Sequence, residues 1–247
     1  WSDEVLSYAS ITRGYASGGF ERFSLDASNG RPAPPFRPSE ITTYEIGAKA
    51  QFLGGDVVLT GAAFYNDVTD GQALAFDPAT FAVFFDNQDY ESYGFDIEVQ
   101  AQLSSRLFVR GAVGLTETEL VNVDPANATG AVNGNEVPNS PNVTASLGLE
   151  YIQPLTLFGT SGDLSFGVDV SHVGSRKADI ANSTELDSYT LTDLRIGWSR
   201  GDFEIYAYGR NIFDERPVYF ASVFSENANA ATVGRGRQIG IGANWRF

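Results

Sequence analysis

The last ten residues, QIGIGANWRF, alternate without a fault. Gln238, Gly240, Gly242, Asn244 and Arg246 fall on one side, and Ile239, Ile241, Ala243, Trp245 and Phe247 on the other. Side chains of a β-strand point alternately to opposite faces, so this is a strand with one wholly apolar face. The period recurs in TTYEIGAKAQF (42–52), YGFDIEVQAQL (93–103), NVTASLGLEY (142–151) and DLSFGVDVSH (163–172). Less regular versions run over 5–15, 57–67, 106–118, 189–199 and 203–213, which makes ten candidate strands.

The connections alternate in length. LGGD (53–56), LSSR (103–106) and SRGD (199–202) read as tight turns, with a slightly longer link near 154–162. Between them lie the polar stretches 21–39, 68–89, 121–141, 175–188 and 215–234, rich in Asn, Asp, Ser, Pro and Gly. Long connections in a compact domain are uncommon and usually functional. Short turns at one end and long loops at the other mark an all-β transmembrane antiparallel β-barrel. Aromatic residues sit where the apolar faces should meet the membrane boundary. Phe52, Tyr151, Trp198, Phe203, Trp245 and Phe247 lie on the turn side; Tyr15, Tyr44, Tyr65, Tyr93 and Tyr189 lie on the loop side. The opposite faces are small and polar, which favours a wide lumen over a side-chain-filled one.

Composition narrows the function. No stretch approaches the ~18 apolar residues of a membrane helix. With no Cys there is neither a disulfide framework nor a thiolate metal site. A formal charge of −15 opposes nucleic-acid binding, which needs a surplus of Lys and Arg. The opening WSDEVLSYAS has neither an initiator Met nor a signal-peptide pattern, so a piece of a longer chain is expected, with Phe247 as its true end.

Catalytic chemistry finds little support. His172, the one histidine, falls by parity on the outward face, whereas Asp169 falls on the opposite one. Asp96 with Glu98, Glu45 with Lys49, and Asp193 with Arg195 read as a charged lumen wall rather than as acid–base pairs. GRGRQIG has the wrong glycine spacing for a dinucleotide loop and precedes a strand. The Asn-x-Ser/Thr triplets at Asn127, Asn142 and Asn182 are expected by chance in such a composition. Binding residues are expected in the loops. Phe20, Arg22, Phe23, Arg31, Phe36 and Arg37 cluster in the first; Phe81, Phe84 and Phe85 fall in the second. Arg176 and Lys177 occupy another, and Arg216, Tyr219, Phe220 and Phe224 the last. Arg beside aromatic rings suits an anionic, partly aromatic ligand such as an iron chelate, with loop packing as the plainer role for any one of them.

Six stretches, in order, resemble the TonB-dependent outer-membrane receptors: ITRGYASGGF (11–20), FRPSEITTYEIGAKAQF (36–52), AAFYNDVTD (62–70) with YGFDIEVQA (93–101), VPNSPNVTASLGLEY (137–151), YGRNIFDERP (208–217) and GRGRQIGIGANWRF (234–247). The fifth is similar to the family's Asn-Leu-Phe-Asp-Glu motif, with Ile212 in place of Leu. The resemblance runs through essentially the whole chain and implies about ten C-terminal strands of a 22-stranded barrel in the cell outer membrane, plugged by an N-terminal domain of the same polypeptide. It also implies import of a scarce extracellular ligand, commonly a ferric siderophore, without bond chemistry or a bound cofactor. The implied partners are the plug, the TonB–ExbB–ExbD complex acting through the N-terminal region, and the lipid and lipopolysaccharide of the membrane. The barrel-assembly machinery is the last, reading the terminal strand at Ile241, Trp245 and Phe247. A complete ten-stranded outer-membrane protease and a secreted carbohydrate-binding protein are the alternatives. A partial barrel would leave strand edges whose unpaired amides cost several kcal/mol each in lipid. The segment alone is therefore expected not to form a stable, heat-modifiable barrel.

Overall fold

The computed structural model describes residues 4–20, 25–26, 31–32, 35–77, 82–127, 129–157, 159–225 and 228–246. In chain order the strands are β1 (Val5–Ala16), β2 (Leu25–Asp26), β3 (Arg31–Pro32), β4 (Ser39–Phe52), β5 (Val57–Asp77) and β6 (Ala82–Ser104). They continue as β7 (Leu107–Leu120), β8 (Val143–Leu157), β9 (Thr160–Val173), β10 (Arg176–Lys177) and β11 (Glu185–Leu186). β12 (Tyr189–Arg200), β13 (Phe203–Arg210), β14 (Val218–Ser225), β15 (Ala228–Val233) and β16 (Gln238–Trp245) complete the set. Ten of these pair antiparallel in one sheet, in the order β1-β4-β5-β6-β7-β8-β9-β12-β13-β16. This is the ten-strand meander that the alternation predicts. Among the described residues β1 pairs only with β4 and β16 only with β13, so the sheet is open with two edges. The short strands form hairpins within three of the long connections: β2 with β3, β10 with β11, and β14 with β15.

The turns between β4 and β5, β6 and β7, β8 and β9, and β12 and β13 gather at one end. The tight β4–β5 turn takes Leu53, Gly54 and Gly55 through positive φ of 55°, 70° and 100°, a path that glycine follows without steric cost. The link near 154–162 is tighter than its sequence suggests, because β8 runs to Leu157 and β9 begins at Thr160.

The stretch 68–89 corrects the sequence reading more strongly, for its described parts, 68–77 and 82–89, are strand rather than loop. The β5–β6 ladder breaks register between Val68 and Gly71, where Asp70 turns through φ 54°, and then resumes from Gly71↔Gln88 to Asp77↔Ala82. An irregularity of this kind bends a strand without ending it. The polar residues that suggested a loop bond to neighbouring loops instead.

Cross-strand partners share a face, so the register sorts the side chains. Tyr44, Tyr65 and Tyr93 stand side by side, as do Ile46, Ala63 and Phe95. Leu147 faces Val170, Phe166 faces Ile196, and Ile205 faces Ala243. This apolar face is bare: Ile239, Ile241 and Trp245 are 77%, 84% and 75% exposed. An apolar patch of this extent marks a surface made for something other than water, and here the sheet presents it to lipid. Tyr189 departs from the expected outer girdle. It pairs with Val173 and shares the inward face with Asp193 and Arg195.

The inner face is closely fitted where β16 joins. A Cβ on Gly242 would lie 2.5 Å from the Tyr206 ring, and one on Gly240 2.6 Å from Tyr208. Each tyrosine lies across a glycine of the last strand, which pins its register. Two clusters of buried apolar residues lie at the loop end: Leu120, Val123, Ala131 and Ile180, and Ala178, Leu186 and Ala221.

Candidate functional site: the interlocked loop rim

The described parts of the long connections fold onto one another as a rim. Loop 17–38 holds the outer part of the β5–β6 hairpin. Gln72 Nε2 donates to the carbonyls of Ser17 (2.9 Å) and Arg37 (3.0 Å), and Asn87 Nδ2 donates to that of Arg37 (3.1 Å). The Phe36 and Phe85 rings lie 4.9 Å apart. On the hairpin's other side Ala73 and Tyr90 pack against the buried cluster of Leu120, Val123, Ala131 and Ile180. That cluster joins loop 121–142 to loop 174–188. Asn135 Nδ2 donates to the Ile180 carbonyl (2.9 Å), and Asn182 and the Glu136 backbone exchange two bonds of 2.7 and 2.9 Å.

The last loop is anchored by Asn211, which is 6% exposed. Its Nδ2 donates to the carbonyls of Glu215 (2.8 Å) and Arg235 (3.0 Å), and its Oδ1 accepts from the Glu215 amide (2.9 Å). Asp214 adds a second tie by accepting the Arg237 amide at 2.7 Å. That bond, with the Arg216 guanidinium nearby, holds the Asp214 carboxyl below its ordinary range despite some desolvation. The Asn-Ile-Phe-Asp-Glu motif is thus a clasp closing loop 211–237. Further along, Lys177 and Glu185 pair across β10 and β11 at 2.5 Å, and the lysine's bond holds the Glu185 carboxyl below its usual value.

The structure separates the described loop candidates by environment. Phe20 is 76% exposed, beside the Gly19–Phe36 bridge. Arg37 is ion-paired with Asp70. Phe84 and Phe85 are half-buried in the hairpin. Arg176 is buried, its Nη2 donating to the carbonyls of Val218 (2.9 Å) and Tyr219 (3.0 Å). Arg216 is exposed and pairs with Asp214 at 3.2 Å, while Tyr219 and Phe220 are moderately exposed. Arg22, Phe23, Phe81 and Phe247 lie outside the described residues, as do the side chains of Arg31 and Phe224. Of the terminal-strand residues, Ile241 and Trp245 stand on the outward face.

Sequence reasoning passed over the amides that make the rim: Gln72, Asn87, Asn135, Asn182 and Asn211. A signal was present, since Asn tolerates left-handed backbone better than other non-glycine residues. Asn122, Asn139, Asn182 and Asn211 all adopt positive φ.

The inner wall is charged, as expected, with different pairings. Arg195 bonds Glu204 (2.6 Å) rather than Asp193, which accepts the Asn211 amide (2.8 Å). Glu45 accepts from Tyr8 (2.6 Å), Glu98 from Gln100 (2.6 Å), and Asp169 pairs with Arg110 (2.5 Å). A hollow of about 270 Å³ lies along Phe108, Arg110, Glu150, Asp169 and Arg195. His172 faces outward and bonds Thr190 Oγ1 at 2.9 Å. Among the described residues no cluster of His, Asp and Glu is arranged to hold a metal ion.

Known proteins share this architecture. The chain is 28% identical over 235 residues to the ferrichrome outer membrane transporter/phage receptor of Escherichia coli K12, covering 92% of this chain and 29% of that protein. It is 27% identical over 192 residues to the metal-pseudopaline receptor CntO of Pseudomonas aeruginosa, covering 77% and 26%. The ferric yersiniabactin uptake receptor FyuA of Yersinia pestis superimposes with a TM-score of 0.80 at 22% identity, covering 100% of this chain and 35% of that one. The chain therefore spans about a third of the length of its relatives. The family model described as TonB dependent receptor-like, beta-barrel matches residues 1–212. The chain belongs to the TonB-dependent receptor β-barrel family.

Proposed function

We propose that this segment forms part of the wall and ligand-collecting rim of an outer-membrane receptor that imports an iron chelate. Membership of the family makes it an outer-membrane barrel protein and not an enzyme, which sets aside the ten-stranded protease. What carries the reading is the rim itself. The described parts of the long connections pack against one another, and they present Phe20, Tyr219, Phe220 and Arg216 at the loop end of a lipid-facing sheet. Binding sites favour positions held by such a scaffold. The relatives named as siderophore, ferrichrome or ferrioxamine receptors direct the choice of ligand toward a ferric siderophore. In this reading a plug from the same polypeptide meets the charged inner wall, and the TonB–ExbB–ExbD complex supplies the energy. Lipid and lipopolysaccharide cover the outer face, and the barrel-assembly machinery reads Ile241, Trp245 and Phe247. No cofactor takes part.

Radiolabelled iron uptake, measured with a panel of ferric chelates in cells with and without the intact receptor, tests the proposal. At least one chelate should lose uptake on deletion of the receptor and, separately, on deletion of TonB. Uptake unchanged across the panel would refute it.

A further inference from the structure

Arg176 carries a feature that its role in the rim does not use. The residue is 5% exposed, and Nη2 satisfies the carbonyls of Val218 and Tyr219, yet Nη1 is buried without a hydrogen-bond partner. Among the described residues no carboxylate forms an ion pair with it, whereas its neighbour Lys177 has Glu185. A buried guanidinium with two neutral carbonyls and one idle arm is an uncompensated positive charge, which proteins seldom keep without a use. Its surroundings are aromatic. The Tyr189 ring lies 5.8 Å from the guanidinium carbon and 5.7 Å from the Tyr219 ring. Tyr189 stands on the sheet's inward face, so the group sits on the lumen side of the rim, bonded to the backbone of β14.

We propose that Arg176 Nη1 is the recognition donor for a carboxylate on the imported chelate, with Tyr189 and Tyr219 flanking the bound group; this rests on the functional reading above. A carboxylate supplies the missing counter-charge, and a charge-assisted bond to a guanidinium is among the stronger hydrogen bonds available. The idle arm is buried and the same guanidinium bonds the backbone of β14, so the carboxylate enters as the β14–β15 hairpin shifts. The same arginine that ties down the hairpin therefore couples ligand recognition to opening of the rim.

The test uses the intact receptor and matched probes, a hydroxamate and a catecholate ferric chelate, each as the free acid and as its methyl ester. Quenching of intrinsic fluorescence gives the affinities. The acid should bind the native receptor roughly ten- to a hundredfold more tightly than the ester. Arg176→Gln should abolish that preference. Arg176→Lys, which keeps a cation able to donate to backbone carbonyls, should lose most of it while tryptic cleavage of loop 211–237 stays native. Equal binding of acid and ester by the native receptor, or a preference that survives both substitutions, would overturn the subsite and leave the functional reading standing. A receptor that binds none of the four chelates would overturn both.

Discussion

Replacing Asn211 tests whether the rim is a built structure. Its side chain makes three hydrogen bonds to the backbone at 215 and 235, all between 2.8 and 3.0 Å, from a site 6% exposed. At about 1 kcal/mol per neutral bond, their loss costs about 3 kcal/mol, less whatever water recovers at the exposed residues Glu215 and Arg235. Asn211 also sits at φ 48°, where an L-residue with a Cβ pays roughly 1–2 kcal/mol that Asn largely escapes. Asn211→Gly therefore loses only the bonds, whereas Asn211→Ala loses them and adds the backbone strain. Asn211→Asp keeps one acceptor but sets a carboxylate oxygen against two carbonyls, so it should fare no better than Ala. Amide hydrogen exchange in the intact receptor reads these differences. Protection over 212–237 should fall about tenfold or more in the Gly variant and about tenfold further in the Ala variant, with the sheet amides unchanged. Native protection in the Asp variant, or equal effects of Gly and Ala, would refute the assignment.

Two further outcomes are expected. Ile241→Arg places a cation on the bare outward face and should destabilise the intact receptor in lipid by about 2–4 kcal/mol, whereas Gln238→Arg on the inward face should be tolerated; urea unfolding in vesicles distinguishes them, and equal losses would contradict the assigned faces. The bond from the Arg237 amide, with Arg216 behind it, depresses the Asp214 carboxyl in the folded state. Its contribution is therefore complete above the ordinary value of 3.8 and is lost as pH falls through the lower folded value. Pepsin cleavage within 211–237 should rise as pH drops below 3.8, and Asp214→Asn should flatten that dependence; an unchanged profile in the variant would show that another group controls it.

The wall was legible because its period is imposed by geometry. A strand between lipid and lumen must alternate, and a one-residue slip would move every apolar side chain to the wrong face. Hence QIGIGANWRF and YGFDIEVQAQL reveal both the strand and the orientation of its faces. The rim was not legible in that way, because its order comes from amide bonds between segments distant in sequence. Asn135 with Ile180, Asn182 with Glu136, and Gln72 with Ser17 leave no periodic trace. Composition there points the wrong way, since Asn, Asp and Gly signal loose loops whether or not each amide has a partner. The stretch 68–89 was misread for this reason.

The rim also changes what a loop arginine signifies. From the sequence, Arg37, Arg176 and Arg216 looked equivalent, each a cation beside aromatic residues. In the structure Arg37 is neutralised by Asp70 at a strand irregularity, and Arg216 shares Asp214 with the clasp of the last loop. Arg176 forms no such ion pair among the described residues, although it is the most deeply buried of the three. Burial normally drives a cation toward a carboxylate, so an arginine that is both buried and unpaired ranks above more exposed ones as a candidate for ligand contact. Exposure alone would have led to Arg37 or Arg216. Accounting for each donor leads to Arg176.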